Sequence, residues 1–197
     1  MPVSEPAKVP APVSEPDIPA HYTTYTDEAK LFSISYPPEW QTNLSLIKQH
    51  EETAKGIISS LESGLPAKVG GQLFFAGIPA LRGYAPAVSV QFLPPYSILG
   101  RTVPYSIETI IGASKRVLKE SYREFSRVKT TIGGREATIV DFEGTFVLGQ
   151  EKVYAHQLVM VILVGENSWQ VTCLAREDFA SWAKDFDAIV RSFRILK

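Results

Sequence analysis

VYAHQLVMVILVGENSWQVTCLA, residues 153–175, holds two apolar runs separated by Gly165-Glu166-Asn167. Each run is rich in β-branched and aromatic side chains, and the glycine supplies the backbone freedom that a tight reversal needs. The stretch therefore predicts a β-hairpin. Just upstream the pattern recurs: FSRVKTTI (125–132) and REATIVDFEGTFVL (135–148) flank Gly133-Gly134, a second tight-turn signal. Strands joined in this way pair antiparallel, so residues 125–175 predict a four-stranded meander.

The remaining segments arrange around that meander. QLFFAGI (72–78) and AVSVQFL (87–93) read as two more strands, with PALRGYAP (79–86) as the loop between them. KQHEETAKGIISSLE (48–62) has helical composition, weakened by Gly56. In SIETIIGASKRVLKESY, Ile107, Ile110, Ile111, Ser114, Leu118 and Tyr122 fall at helical spacing behind Ser106, a good N-cap. A last helix carries Phe179, Trp182, Phe186, Ile189, Val190 and Phe193 on one apolar stripe, which must lie on the sheet.

Near the start, LFSISYPPEW (31–40) alternates as a strand until Pro37 and Pro38 withhold two ladder donors. The strand should stop at Tyr36, and Trp40 should fold back over the same core. The class expected is α+β, an antiparallel sheet sandwiched by helices; the alternative is a two-layer roll with one wet face.

Composition excludes more than it assigns. The chain has 197 residues, 20 basic against 21 acidic side chains and a formal charge of −1, so no global field favours nucleic acid. One cysteine, Cys173, excludes an internal disulfide. No run approaches the roughly 18 apolar residues that a membrane-spanning helix needs.

Residues 1–21 form a separate unit. Six of the 14 prolines lie in the first 20 residues, and VSEP occurs twice, ten residues apart. Such composition favours an extended, solvated chain that cannot build a core. A membrane anchor lying upstream of Met1 is expected, with this stretch as the spacer, and the folded domain is placed at 22–197.

Tyr36, Pro37 and Trp40 at the first corner, and Ser192-Phe193 at the end of the last helix, resemble the PsbP/Mog1-like family, including its bacterial PsbP-related and LpqN-like members. The resemblance implies an α-β-α sandwich. For the plant members it implies an extrinsic accessory protein of the oxygen-evolving photosystem, and for the nuclear-transport member a partner of a small GTPase. Bacterial relatives are usually extracytoplasmic and often lipoproteins. It carries no ligand residues over to this chain.

Chemical motifs are sparse. His21, His50 and His156 lack the HExxH, HxH or CxxC company of a metal site, so no metal and no cofactor is expected. His156 shares a strand face with Leu158, Met160 and Ile162 and reads as a strand histidine bonded to a neighbour. Cys173 shares a face with Trp169 and Val171 and reads as a small buried hydrophobe. Asp141 and Glu143 alternate on one face, where cross-strand pairing with a cation is the plain reading and a bound cation the sharper one. The glycine pairs lack phosphate-loop spacing.

Between 115 and 135 seven basic residues face two acidic ones, Glu120 and Glu124, while residues 141–187 are net acidic. The segment 79–105 concentrates Arg82, Tyr84, Tyr96, Arg101 and Tyr105, with PYSI occurring twice. These residue types dominate protein interfaces, and the five are the expected partner-binding set. The reading is a non-enzymatic, membrane-tethered extracytoplasmic accessory domain with an unidentified protein partner and no nucleic acid. Its alternatives are an intracellular partner of a nucleotide-binding protein and a small-molecule or metal-binding domain.

Overall fold

A computed structural model describes residues 18–43, 51–63, 67–68, 70–80, 83–148, 151–176 and 178–197. Gly133 and Gly134 take φ of 56° and 76°, a turn whose twist suits a two-residue hairpin. It joins β8 (Arg123–Ile132) to β9 (Arg135–Leu148), with Ile132 opposite Arg135. β9 pairs with β10 (Glu151–Val164), and Gly165-Glu166 returns β10 into β11 (Asn167–Ala175). The meander is as expected.

β11 then pairs with β5 (Gly83–Leu93) and β5 with β4 (Gly71–Ala80). With β3 (Gln41–Thr42) at the far edge, the antiparallel sheet has seven strands in the order β3-β4-β5-β11-β10-β9-β8. A second sheet sets β1 (Thr23–Thr26) and β12 (Arg194–Ile195) on either side of β2 (Phe32–Tyr36). A two-stranded ribbon, β6 (Tyr96–Ile98) and β7 (Arg101–Val103), stands apart.

Period-two alternation separates two cores. One face of the large sheet, carrying Phe74, Val90, Met160 and Trp169, packs against β2, against Ile57 of α1 (Glu51–Ser63) and against Phe186 and Ile189 of α3 (Phe179–Ser192). The other face offers Val140, Phe142, Val159 and Val161 to Ile111 and Leu118 of α2 (Ile107–Leu118). Helices on both faces give the sandwich and exclude the roll. Trp169 is fully buried with Phe32, Phe92 and Phe193 around its ring, and its truncation to Ala would cost about 3–5 kcal/mol.

β2 ends at Tyr36, and the Trp40 N–H donates to the Pro37 carbonyl at 3.1 Å, closing the proline corner. Trp40 is buried against Trp182 and Phe186, so it plugs that corner. Ser106 caps α2, its Oγ accepting from the Thr109 N–H at 3.3 Å.

Four details differ from the sequence reading. The 79–86 segment, expected as a loop, continues the strands: Pro79 pairs with Tyr84 and Ala80 with Gly83. Its prolines are tolerated because Pro79 lies beyond the β3 pairing, where no ladder donor is needed, and Pro86, after a cis peptide, sits in a bulge. Residues 96–103 form the ribbon. Ser35, alternating with apolar neighbours, is buried because its N–H donates to Ser192 Oγ at 2.8 Å. α2 ends at Leu118, where Lys119 at φ 49° turns the chain, and Tyr122 reaches the helix layer from extended backbone by stacking on Phe142. Residues 48–50 of the first expected helix lie outside the described residues. No described helix is long and apolar enough to cross a membrane.

Candidate functional site

Pro94 and Pro95 end β5 and send the chain off the sheet into β6. The reversal into β7 falls on Leu99 at φ 51° and Gly100 at φ 76°. A turn with both central residues at positive φ selects Asn, Asp or Gly, and leucine is a poor occupant. Leu99 is also 99% exposed, and Ile98 beside it 49%. An apolar side chain held in an unfavourable backbone conformation and fully in water is neither local preference nor packing, and such conflicts mark functional positions.

Tyr96 and Tyr105, from the two copies of PYSI, bring their rings to 4.7 Å at the base of this ribbon. Behind them a groove of about 680 Å³ runs between ribbon, α2 and sheet, with Leu93, Tyr96, Ile98, Tyr105, Ile110 and Arg116 on its walls. Glu108 also borders it but is held by Arg127. Arg101 is exposed on β7. The geometry is that of an apolar fingertip with a cationic flank and an aromatic base, suited to receiving another macromolecule's surface.

The structure splits the five expected binding residues. Tyr96, Arg101 and Tyr105 gather on the ribbon and its base. Tyr84 pairs with Pro79 near the opposite end of β5, roughly 30 Å along the strand. Only the backbone of Tyr84 is described, and Arg82 lies outside the described residues. The reading missed Ile98 and Leu99, although Leu-Gly in a tight turn was a signal: a polar residue belongs there.

A second cluster forms at the other sheet face. The β8 register shift between Glu124 and Ser126 turns Phe125 over β9, where its ring stacks on His156 at 5.0 Å. Phe179, at the start of α3, stacks on the imidazole at 3.5 Å, and Arg123 lies over Phe125 at 4.8 Å. His156 Nε2 lies 2.5 Å from Asp141 Oδ1, and its Nδ1 lies 4.0 Å from Glu143. Glu143 accepts from the Tyr154 hydroxyl at 2.5 Å and faces Arg123 at 4.0 Å. Burial, reinforced by the hydrogen bond to Glu143, pushes the Tyr154 hydroxyl up to about 12.

With both ring faces covered and Nε2 engaged, His156 pins the start of α3 to the sheet. Asp141 and Glu143 are occupied by histidine, tyrosine and arginine, close to the cross-strand pairing expected of them. Among the described residues no group of His, Cys, Asp and Glu has an arrangement that holds a metal ion. Cys173 is fully buried, and burial pushes its thiol far above the ordinary range, the opposite of nucleophile activation. His21 packs edge-on against Tyr22 at 5.2 Å, and His50 lies outside the described residues.

Comparison with known proteins extends the fold. No family model and no curated protein matches the sequence. Among solved structures the chain is similar to the cyanobacterial PsbP of Synechocystis, with a TM-score of 0.50 at 14% identity over 97% of this chain and 99% of that one. A protein from Bacteroides thetaiotaomicron gives a TM-score of 0.44 at 11% identity over 90% of this chain and 49% of its own. A Pseudomonas aeruginosa protein of unknown function gives 0.38 at 11% identity, covering 87% and 95%. The likeness to cyanobacterial PsbP, across nearly the whole of both chains, shows the PsbP fold that the proline corner and the Ser-Phe helix end implied.

Proposed function

We propose that this chain is a non-enzymatic accessory domain that docks a protein partner through the β6–β7 ribbon. In this reading the proline-rich segment 1–21 holds it near a membrane on the extracytoplasmic side. The observation that carries it is Leu99: fully exposed, apolar and at positive φ. The proline-rich composition of 1–21 supports the spacer. Binding would bury Ile98 and Leu99 in the partner, seat partner side chains in the tyrosine-lined groove and leave Arg101 at the rim.

A photo-crosslinking residue at position 99, expressed in the source cells, tests this, with position 147 as a comparably exposed control on β9. One discrete adduct from position 99, absent from 147 and lost in the Tyr96→Ala/Tyr105→Ala double variant, is the expected result. Adducts of the same pattern from both positions would remove the ribbon as a docking site. Membrane fractionation with mass spectrometry of the mature N terminus tests the tether; an unprocessed terminus in the cytosolic fraction would contradict it.

A further inference from the structure

β8 is the last strand of the large sheet and pairs only with β9. The opposite edge strand, β3, is two residues long; β8, at ten residues, is an open edge of this sheet with no second strand beside it among the described residues. In a hairpin closed by two residues, the pair flanking the turn exchanges both ladder bonds, and inward and outward backbone groups then alternate. Counted from Ile132 and Arg135, residues Arg127, Lys129 and Thr131 turn their N–H and C=O groups away from β9.

Side chains along this edge also alternate. Val128, opposite Ile139, continues the α3 face of the sheet outward and is 52% exposed. Arg127 and Lys129 project on the α2 face, Lys129 beside Ser106 and Ile107 at the start of that helix. Arg127 is bound by Glu108 and Glu124, whereas Lys129 is exposed and has no ion pair among the described residues. Open edges are normally blunted by bulges and charge. Here the bulge lies at Phe125, before the regular stretch, and the two charged residues of that stretch, Arg127 and Lys129, are both basic. Their charge repels a second copy of β8 but not an acidic strand.

We propose that β8 accepts an extended acidic segment of another protein as an eighth strand, with acidic residues facing Lys129 and apolar residues alternating beside Val128. This surface is separate from the β6–β7 ribbon and does not depend on the reading given for it. Main-chain bonds would supply affinity, and the alternating pattern specificity.

The test is amide hydrogen exchange by NMR on the full chain, with a capped synthetic peptide of alternating glutamate and valine. The Arg127, Lys129 and Thr131 amides should gain about tenfold protection, less so as salt rises. A lysine–valine peptide should give none. Thr131→Pro removes only an outward N–H, so the variant should melt like the parent and lose peptide binding. Equal protection by the lysine peptide would overturn the proposal. So would binding unaffected by Thr131→Pro, or protection by anionic lipid vesicles in place of the peptide.

Discussion

Ser192 shows how much one hydroxyl can organise. Its Oγ donates to the Ile189 carbonyl at 2.6 Å and accepts from the buried Ser35 N–H, tying the last turn of α3 to β2. Ser192→Ala would strand that N–H without a partner at a cost of about 1–3 kcal/mol. For a domain of this size that is a fall in Tm of roughly 2–4 °C per kcal/mol, readable by calorimetry; an unchanged Tm would mean that water replaces the hydroxyl. The sequence carried the Ser192-Phe193 pair but not its partner, because Ser35 lies 157 positions away and looks like a solvent-facing strand residue. The two PYSI copies make the same point. Residues 96–98 form a strand and Ser106-Ile107 starts a helix, a choice made by the next residues in the chain: Leu99-Gly100 allows a reversal, whereas Glu108 onward is helical.

Among the elements, the meander and both amphipathic helices were legible because periodicity is local and each hairpin announces itself with glycine. The β4–β5 hairpin was hidden by its prolines, which normally punctuate and here sit where no ladder donor is needed, Pro79 beyond the end of β3 and Pro86 in the bulge. Gly77 explains the close approach of those strands: a Cβ there would lie 2.5 Å from the Pro86 carbonyl oxygen. Gly77→Ala should therefore destabilise by about 1–3 kcal/mol through a clash with backbone that cannot rotate aside. Denaturant unfolding measures it, and a midpoint equal to that of the parent would show that the bulge yields. Phe125 was equally opaque, since nothing in RVKTTI or REFS marks a bulge that swings one ring across the sheet. For the candidate site, tyrosine and arginine enrichment located the ribbon but could not separate Tyr84 from Tyr96, because β5 starts at Gly83, inside the segment whose prolines and glycine signal a loop.

Over the whole molecule, tyrosines buried wholly or in part make stability sensitive to alkali. Burial, with the charges of Asp27 and Glu28, pushes Tyr25 up to about 12, and burial likewise raises Tyr22, Tyr36 and Tyr122. In the unfolded chain a tyrosine ionises near 10. The folded state thus favours the protonated phenol; its contribution is complete below pH about 10 and is lost as pH rises from there toward 12. Urea midpoints measured from pH 8 to 11.5 should fall above pH 10, and Tyr25→Phe should flatten that fall. A Tyr25→Phe profile parallel to the parent's would assign the loss to other groups.

β12 pairs with β2, and the Leu196 N–H donates to the Leu31 carbonyl at 2.9 Å. The strand that begins the core is completed by residues far downstream of it in the chain. During synthesis the meander can close once residue 175 has emerged, while β2 remains one strand short and its aromatic side chains lack α3. Until α3 and β12 follow, a nascent domain with its meander closed would leave that sheet face uncovered, and their docking brings the vulnerable interval to an end.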